Sequence, residues 1–146
     1  MALRQQGLHS YGDSQSDIRE RLLTYSTKNG YVVEHFADAI CVCGSRVFRL
    51  LLDETEGAAV RICSACSTRH PIGDSEDYLA NASLEECECP CGSDSFEITA
   101  GVALYSGARG VRWLYIGARC PNCGLTACYG DWKNEFDDYE QLIQRI

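Results

Sequence analysis

Nowhere in its 146 residues does the chain hold a run of ~18 uncharged apolar residues, and this excludes a helical membrane span. The first residues, MALRQQGLHSYGDSQSD, contain no apolar stretch of the kind a secretory signal needs, so the reading places the protein in a reducing cytoplasm. Positive charge is also short: 13 Lys and Arg face 21 Asp and Glu, for a formal net charge of −8. Between Asp53 and Glu97, eleven acidic residues meet only Arg61 and Arg69. A surface of that kind repels phosphate backbones and draws basic partners, beside its ordinary solubilising role. No H-x-E occurs anywhere, which removes the zinc-deaminase arrangement. The Cys63–Cys66 pair lacks the strand-then-helix context of a redox CxxC.

Cysteine, by contrast, is abundant, with ten in the chain. A 45% hydrophobic content suits a globular protein. Two half-length units would nonetheless be marginal on apolar burial alone, so something must supplement the core. In a reducing compartment, closely spaced cysteine pairs bind metal more often than they form disulfides.

The cysteines fall into an internal repeat. Residues 41–50 read CVCGSRVFRL and residues 89–98 read CPCGSDSFEI, with Cys, Cys, Gly, Ser, Phe and a final aliphatic at the same offsets. Downstream of each comes a second pair, Cys63 with Cys66 in RICSAC and Cys120 with Cys123 in ARCPNCG. The spacers read as hairpins. RVFRLLL and AAVRI flank the turn residues DETEG in the first. In the second, Phe96, Ile98, Ala100, Val102 and Leu104 alternate with Glu97, Thr99, Gly101, Ala103 and Tyr105, the period of a half-buried strand. After the turn SGARG, Val111, Trp113 and Tyr115 alternate with Arg112, Leu114 and Ile116 on the return. A hairpin brings its ends together, so each spacer delivers the second cysteine pair to the first.

Two helices are expected outside the repeat. Ile18, Leu22 and Tyr25 share one face of a helix that Ser14 caps, with Asp17 near its start and Asn29-Gly30 as its stop. Tyr139, Leu142, Ile143 and Ile146 have helical spacing behind Asp137 and Asp138. The expected fold class is α+β, with two zinc-ribbon β-hairpin units in tandem, packed together, and an N-terminal and a C-terminal helix. Its parts are a tail and helix over residues 1–36, a first ribbon over 37–72, an acidic connector over 73–86, a second ribbon over 87–130 and a C-terminal helix over 131–146.

Four thiolates close a tetrahedron around zinc, and cysteines two or three apart let one tight turn present two sulfurs to one ion. Glycine follows Cys43, Cys91 and Cys123, where such turns call for a positive φ. The first site is therefore assigned to Cys41, Cys43, Cys63 and Cys66, and the second to Cys89, Cys91, Cys120 and Cys123, with Zn2+ at two ions per chain. Cys87 and Cys128 have no counterpart in the first repeat. An alternative register pairs Cys87 with Cys89 and strands Cys91; Cys128, in the apolar run LTACY, reads as a free buried thiol. His70, four residues past Cys66, could replace a ligand, though a histidine before a proline reads more readily as a loop residue; neither His9 nor His35 has a ligand partner at a recognisable spacing.

The pattern resembles the broad zinc-ribbon and rubredoxin-like class, in which two cysteine knuckles at hairpin ends clasp one metal. The resemblance covers Cys41 to Cys66 and Cys89 to Cys123, and each first knuckle is CxC where the class has CxxC. It implies a fold and a metal but no activity. Zinc held by four thiolates has no open position to activate water, so a non-enzymatic protein-interaction module is expected, with an acidic surface for a basic protein partner. A toxin-neutralising immunity protein is one form of it. Nucleic-acid binding is the alternative, through Arg46, Arg49, Arg61, Arg109, Arg112 and Arg119 beside Trp113 and Tyr115. Eight thiolates around two divalent ions would carry the formal charge to about −12, which opposes phosphate binding. Iron in place of zinc would instead make a rubredoxin-like electron carrier.

Overall fold

Ten strands and two α-helices form along residues 3–146, the part of the chain that the computed structural model describes. In chain order the strands are β1 (Arg4–Gln6), β2 (His9–Tyr11), β3 (His35–Asp38), β4 (Phe48–Asp53), β5 (Ala58–Cys63), β6 (Arg69–Pro71), β7 (Glu85–Glu86), β8 (Glu97–Leu104), β9 (Val111–Arg119) and β10 (Leu125–Lys133). The helices are α1 (Asp17–Asn29) and α2 (Tyr139–Ile143), with a 3-10 helix over Ser75–Asn81. Both sheets are antiparallel: six strands in the order β1-β2-β10-β9-β8-β3, and four in the order β6-β5-β4-β7.

Each half of the repeat contributes a three-stranded meander, β4-β5-β6 and β8-β9-β10. The β4–β5 turn is set by Asp53, whose carboxylate accepts the N–H groups of Thr55 at 3.0 Å and Glu56 at 3.1 Å. The two sheets meet at the two phenylalanines of the repeat. Phe48 and Phe96 exchange both backbone hydrogen bonds, at 2.8 and 2.7 Å, so equivalent residues of the two halves face each other across a local two-fold. Around this pair lies a shared core: Phe48, Leu50, Ala59 and Ile72 pack with Phe96, Ile98, Ala100, Leu114 and Ile116, and Leu142 and Ile146 join them.

Strand β8 departs from the half-buried reading, since Ile98 through Ala103 are all buried. The reason is α1, which covers the second face of the six-stranded sheet with Ile18 and Leu22. Gly117 lets it approach, and Gly101 makes room for the segment that follows it. A Cβ at Gly117 would sit 2.5 Å from Ile18 Cγ2, and one at Gly101 would sit 2.5 Å from Val33 Cγ2. The alternation on β9 is also broken. Ala103 pairs with Trp113 and Leu104 with Val111, so Arg112 is the extra residue of a bulge. Val111 thereby joins Leu114 and Ile116 in the shared core, while Trp113 and Tyr115 face α1.

At the start of α1 the capping differs from expectation. Ser14 makes no cap; the carboxylate of Asp17 reaches back instead to the N–H groups of Asp13 at 2.7 Å and Ser14 at 3.1 Å. Gly30, at φ 92°, closes the helix by donating to Ser26. Residues 4–11 form a β-hairpin that extends the six-stranded sheet through Tyr11 opposite Leu125. The acidic segment after Gly73 is ordered by the 3-10 helix and by β7, which pairs with Leu51 and Leu52. The α2 helix ends at Ile143, so Ile146 lies beyond it, although its side chain is buried beside Gly73.

Candidate metal centres

The two halves build their cysteine turns with matching hydrogen bonds. Cys41 N–H donates to Ser45 O at 2.9 Å and Gly44 N–H to Cys41 O at 2.8 Å; Cys89 donates to Ser93 O and Gly92 to Cys89 O, both at 2.8 Å. In the second knuckles, Cys63 donates to Thr68 O and Ser67 to Cys63 O, both at 2.9 Å. Cys120 donates to Leu125 O at 2.9 Å and Gly124 to Cys120 O at 2.7 Å. All four turns place the residue after the second cysteine at positive φ: Gly44 (91°), Gly92 (96°), Gly124 (86°) and Ser67 (65°). Ser67 is the one non-glycine residue in that region among the described residues. It takes on the strain that glycine avoids in the other three turns.

These turns gather the thiols into two groups of four, Cys41, Cys43, Cys63 and Cys66, and Cys89, Cys91, Cys120 and Cys123, with all sulfurs of a group within 4.8 Å of one another. Close approaches include Cys41 to Cys66 at 3.5 Å and Cys43 to Cys63 at 3.6 Å in the first group. In the second they include Cys89 to Cys123 at 3.5 Å and Cys91 to Cys120 at 3.7 Å. Those separations are far from a disulfide bond of ~2.05 Å. A regular tetrahedron with metal–sulfur bonds of ~2.3 Å has sulfurs ~3.8 Å apart, so the donor set fits a four-coordinate ion. Each turn sends one sulfur inward and one outward: Cys41, Cys63, Cys89 and Cys120 are buried, and Cys43, Cys66, Cys91 and Cys123 are exposed. The buried member anchors the group to the core while the outer one closes it.

Polar neighbours prepare several thiols for deprotonation. Backbone N–H groups of Cys66 and Ala65 draw the Cys63 thiol down to about 6. The Asn122 amide, 3.5 Å from Cys91 Sγ, draws that thiol down to about 6 as well, with the backbone of Ser93 assisting. The Thr68 hydroxyl, 3.1 Å from Cys66 Sγ, lowers that thiol too. Burial pushes Cys89 and Cys123 the other way. The bare clusters are thus mixed in protonation, and closing them around an ion requires four thiolates and releases the remaining protons. Beside the first group lies Arg61, buried, with its guanidinium over the Phe48 ring at 4.6 Å and Nη2 donating to the backbone oxygen of Ile146 at 3.0 Å. The corresponding position of the second group is Ala118, so only the first group has a buried cation two residues before its third cysteine.

Cys87 and Cys128 belong to neither group. Burial pushes the Cys87 thiol up to about 11 and the Cys128 thiol up to about 12, so both are neutral thiols at neutral pH. Neither His70, which lies on β6 instead of in a loop and sits 2.6 Å from the backbone oxygen of Arg145, nor His35, which stacks on Tyr139 at 4.0 Å, belongs to a cysteine group. His9 lies on β2. Sequence reasoning passed over Thr68 and Asn122; their place inside or beside a knuckle was the only signal for them. Comparison with protein-family models, curated proteins and solved structures found no match for the chain.

Proposed function

We propose that the protein is a non-enzymatic interaction module built on two structural zinc ribbons, each closed by one Zn2+, with an acidic surface that engages a basic protein partner. The observation that carries this reading is the pair of closed four-sulfur groups joined through one core. Four sulfurs complete zinc's coordination and leave no position for water or substrate, so the ions act on folding and not on chemistry. Thiolate ligation also suits iron, and a reddish, visible-absorbing protein would select the electron-carrier reading.

The acidic surface gains support from where its charges fall. Glu54 and Glu56 on the β4–β5 turn and Glu85 and Glu86 on β7 belong to the four-stranded sheet and the turn beside it. Arg49 neutralises Glu86 with two hydrogen bonds at 2.8 and 2.6 Å, which leaves Glu54, Glu56, Glu85 and Glu88 as exposed charges of this region. At the C-terminal end Asp138 is held by Arg109 and caps Glu140, so that end contributes less free charge than its composition promises. Salt-sensitive association with a basic protein follows from such a field. A toxin whose basic face the module covers is the specific partner class proposed.

The nucleic-acid alternative loses most of its cations to internal partners. Arg49 pairs with Glu86, Arg109 with Asp138 and Glu140, and Arg119 with Glu97, while Arg46 donates to Gln15 and Arg61 is buried. The test compares the wild type with a Glu85→Gln, Glu86→Gln, Glu88→Gln variant for capture of basic proteins from the native cell at low and physiological salt. Loss of a salt-sensitive basic partner with metal content unchanged supports the reading. Retention of the same partners, or tight binding of single-stranded DNA or RNA at physiological salt, contradicts it.

A further inference from the structure

We propose that the groove beside Arg112 is a second docking surface, which receives an acidic side chain, aspartate or glutamate, from a protein partner. The groove has a volume of about 500 Å³ and lies between the chain leaving α1, residues 30–34, and the β8–β9 turn, residues 105–108, with Ala103 and Leu104 also lining it. It belongs to the six-stranded sheet, whereas the acidic surface proposed above is on the four-stranded one. The two proposals rest on separate observations.

The β9 bulge leaves Arg112 without a partner on β8, and aromatic rings then hold its side chain. Its guanidinium lies 4.4 Å from the centroid of Tyr31 and 5.5 Å from that of Tyr105. Tyr31 stacks on Trp113 at 4.8 Å and 22°, and Trp113 is fixed in turn by Nε1–H donating to Asp131 at 2.8 Å. The result is a ladder of Trp113, Tyr31, Arg112 and Tyr105. Rings engage the faces of a guanidinium and leave its in-plane N–H groups for an acceptor. Among the described residues, no acceptor takes a hydrogen bond from this side chain. Arg4, Arg19, Arg49, Arg109 and Arg119 each pair with a carboxylate, whereas Arg112 is held by rings alone. The groove also holds the exposed carboxylate of Glu34, whose Oε2 accepts the Leu104 N–H at 3.0 Å.

Charge complementarity and size select the occupant. An oriented guanidinium with open N–H edges matches the two oxygens of a carboxylate, and little side-chain freedom remains to be lost on binding. Tyr, Trp and Arg are the residue types that dominate protein–protein hot spots. Val32 and Tyr105, 45% and 38% exposed, offer apolar contact for the neighbours of the acidic residue. A polyphosphate strand would bring many charges toward a chain of net −8, which repels it.

The test is an NMR titration of the metal-loaded, 15N-labelled full chain. The probes are a capped Phe-Glu-Leu tripeptide, its Phe-Gln-Leu counterpart, AMP and a short oligothymidylate. The expected result is saturable shifts of the Arg112 Nε–H and of the Tyr31 and Gly107 amides with the glutamate peptide, with binding of the glutamine peptide at least ~10-fold weaker. Arg112→Gln should abolish the shifts and Arg69→Gln should leave them, both variants keeping the wild-type metal count. Should Arg112→Gln fail to fold, Arg112→Lys takes its place and should weaken binding ~10-fold by losing the two-pronged contact. Equal binding of the two peptides, tighter binding of AMP or the oligonucleotide, or no saturable shift at all would overturn the proposal. None of these outcomes depends on Glu85, Glu86 or Glu88, so the acidic-surface reading stands or falls separately.

Discussion

Replacing Cys120 by serine should dismantle both metal groups, although it touches one. Cys120 is fully buried and belongs to the same cluster of side chains as Phe48, Leu50 and Ala59 from the other half. Serine at that position leaves three sulfurs and a buried hydroxyl without a metal to face. A structural four-cysteine site contributes ~10–16 kcal/mol of apparent binding free energy at neutral pH. Net stability of an ordinary domain is ~5–15 kcal/mol, so loss of one ion removes as much as the whole fold has to spare. Because the halves share one core and exchange backbone hydrogen bonds at Phe48 and Phe96, the first group should not survive alone. Native mass spectrometry of Cys120→Ser should show no species holding a single ion in a folded charge-state envelope, and its near-ultraviolet circular dichroism should collapse. A variant that retains one ion, keeps a folded first half and unfolds in two separate steps would refute the shared-core argument.

Other outcomes follow from packing and burial. Gly117→Ala places a Cβ 2.5 Å from Ile18 Cγ2 and 3.0 Å from Leu22, and should cost ~1–3 kcal/mol in urea unfolding; an unchanged midpoint would place α1 elsewhere. Cys87→Ser and Cys128→Ser should each keep two ions, and a lost ion in either would contradict the grouping of the thiols. In the wild type the raised thiol of Cys87 should be alkylated slowly at neutral pH, its rate still climbing toward a pH of about 11, whereas an unperturbed thiol levels off above ~8.5.

The cysteine groups were legible in the sequence because their spacing is local. A CxC or CxxC turn is decided within a few residues, and the hairpins joining the pairs announce themselves by strand formers around DETEG and SGARG. What long-range contact decides was not legible. The alternation on β8 suggested one solvent face, yet Gly117 admits α1 and Gly101 the segment after it, and both faces are buried. Val111 changes face because of one extra residue, Arg112, which nothing in the apolar pattern marks. The Phe48–Phe96 pair lay in view as matching letters of a repeat, but only the fold places those two residues opposite each other. Likewise no side chain caps the start of α1: its first N–H groups bond to the backbone oxygens of Ser14, Gln15 and Ser16, while the buried Asp17 carboxylate ties down the preceding turn.

The most direct test of the central claim is the metal content of the purified chain, read by native mass spectrometry together with its visible absorbance, before and after chelation. The account predicts two zinc ions per chain, no visible colour, and unfolding when both are removed. One ion, none, or a fold that persists unchanged after complete chelation would contradict it.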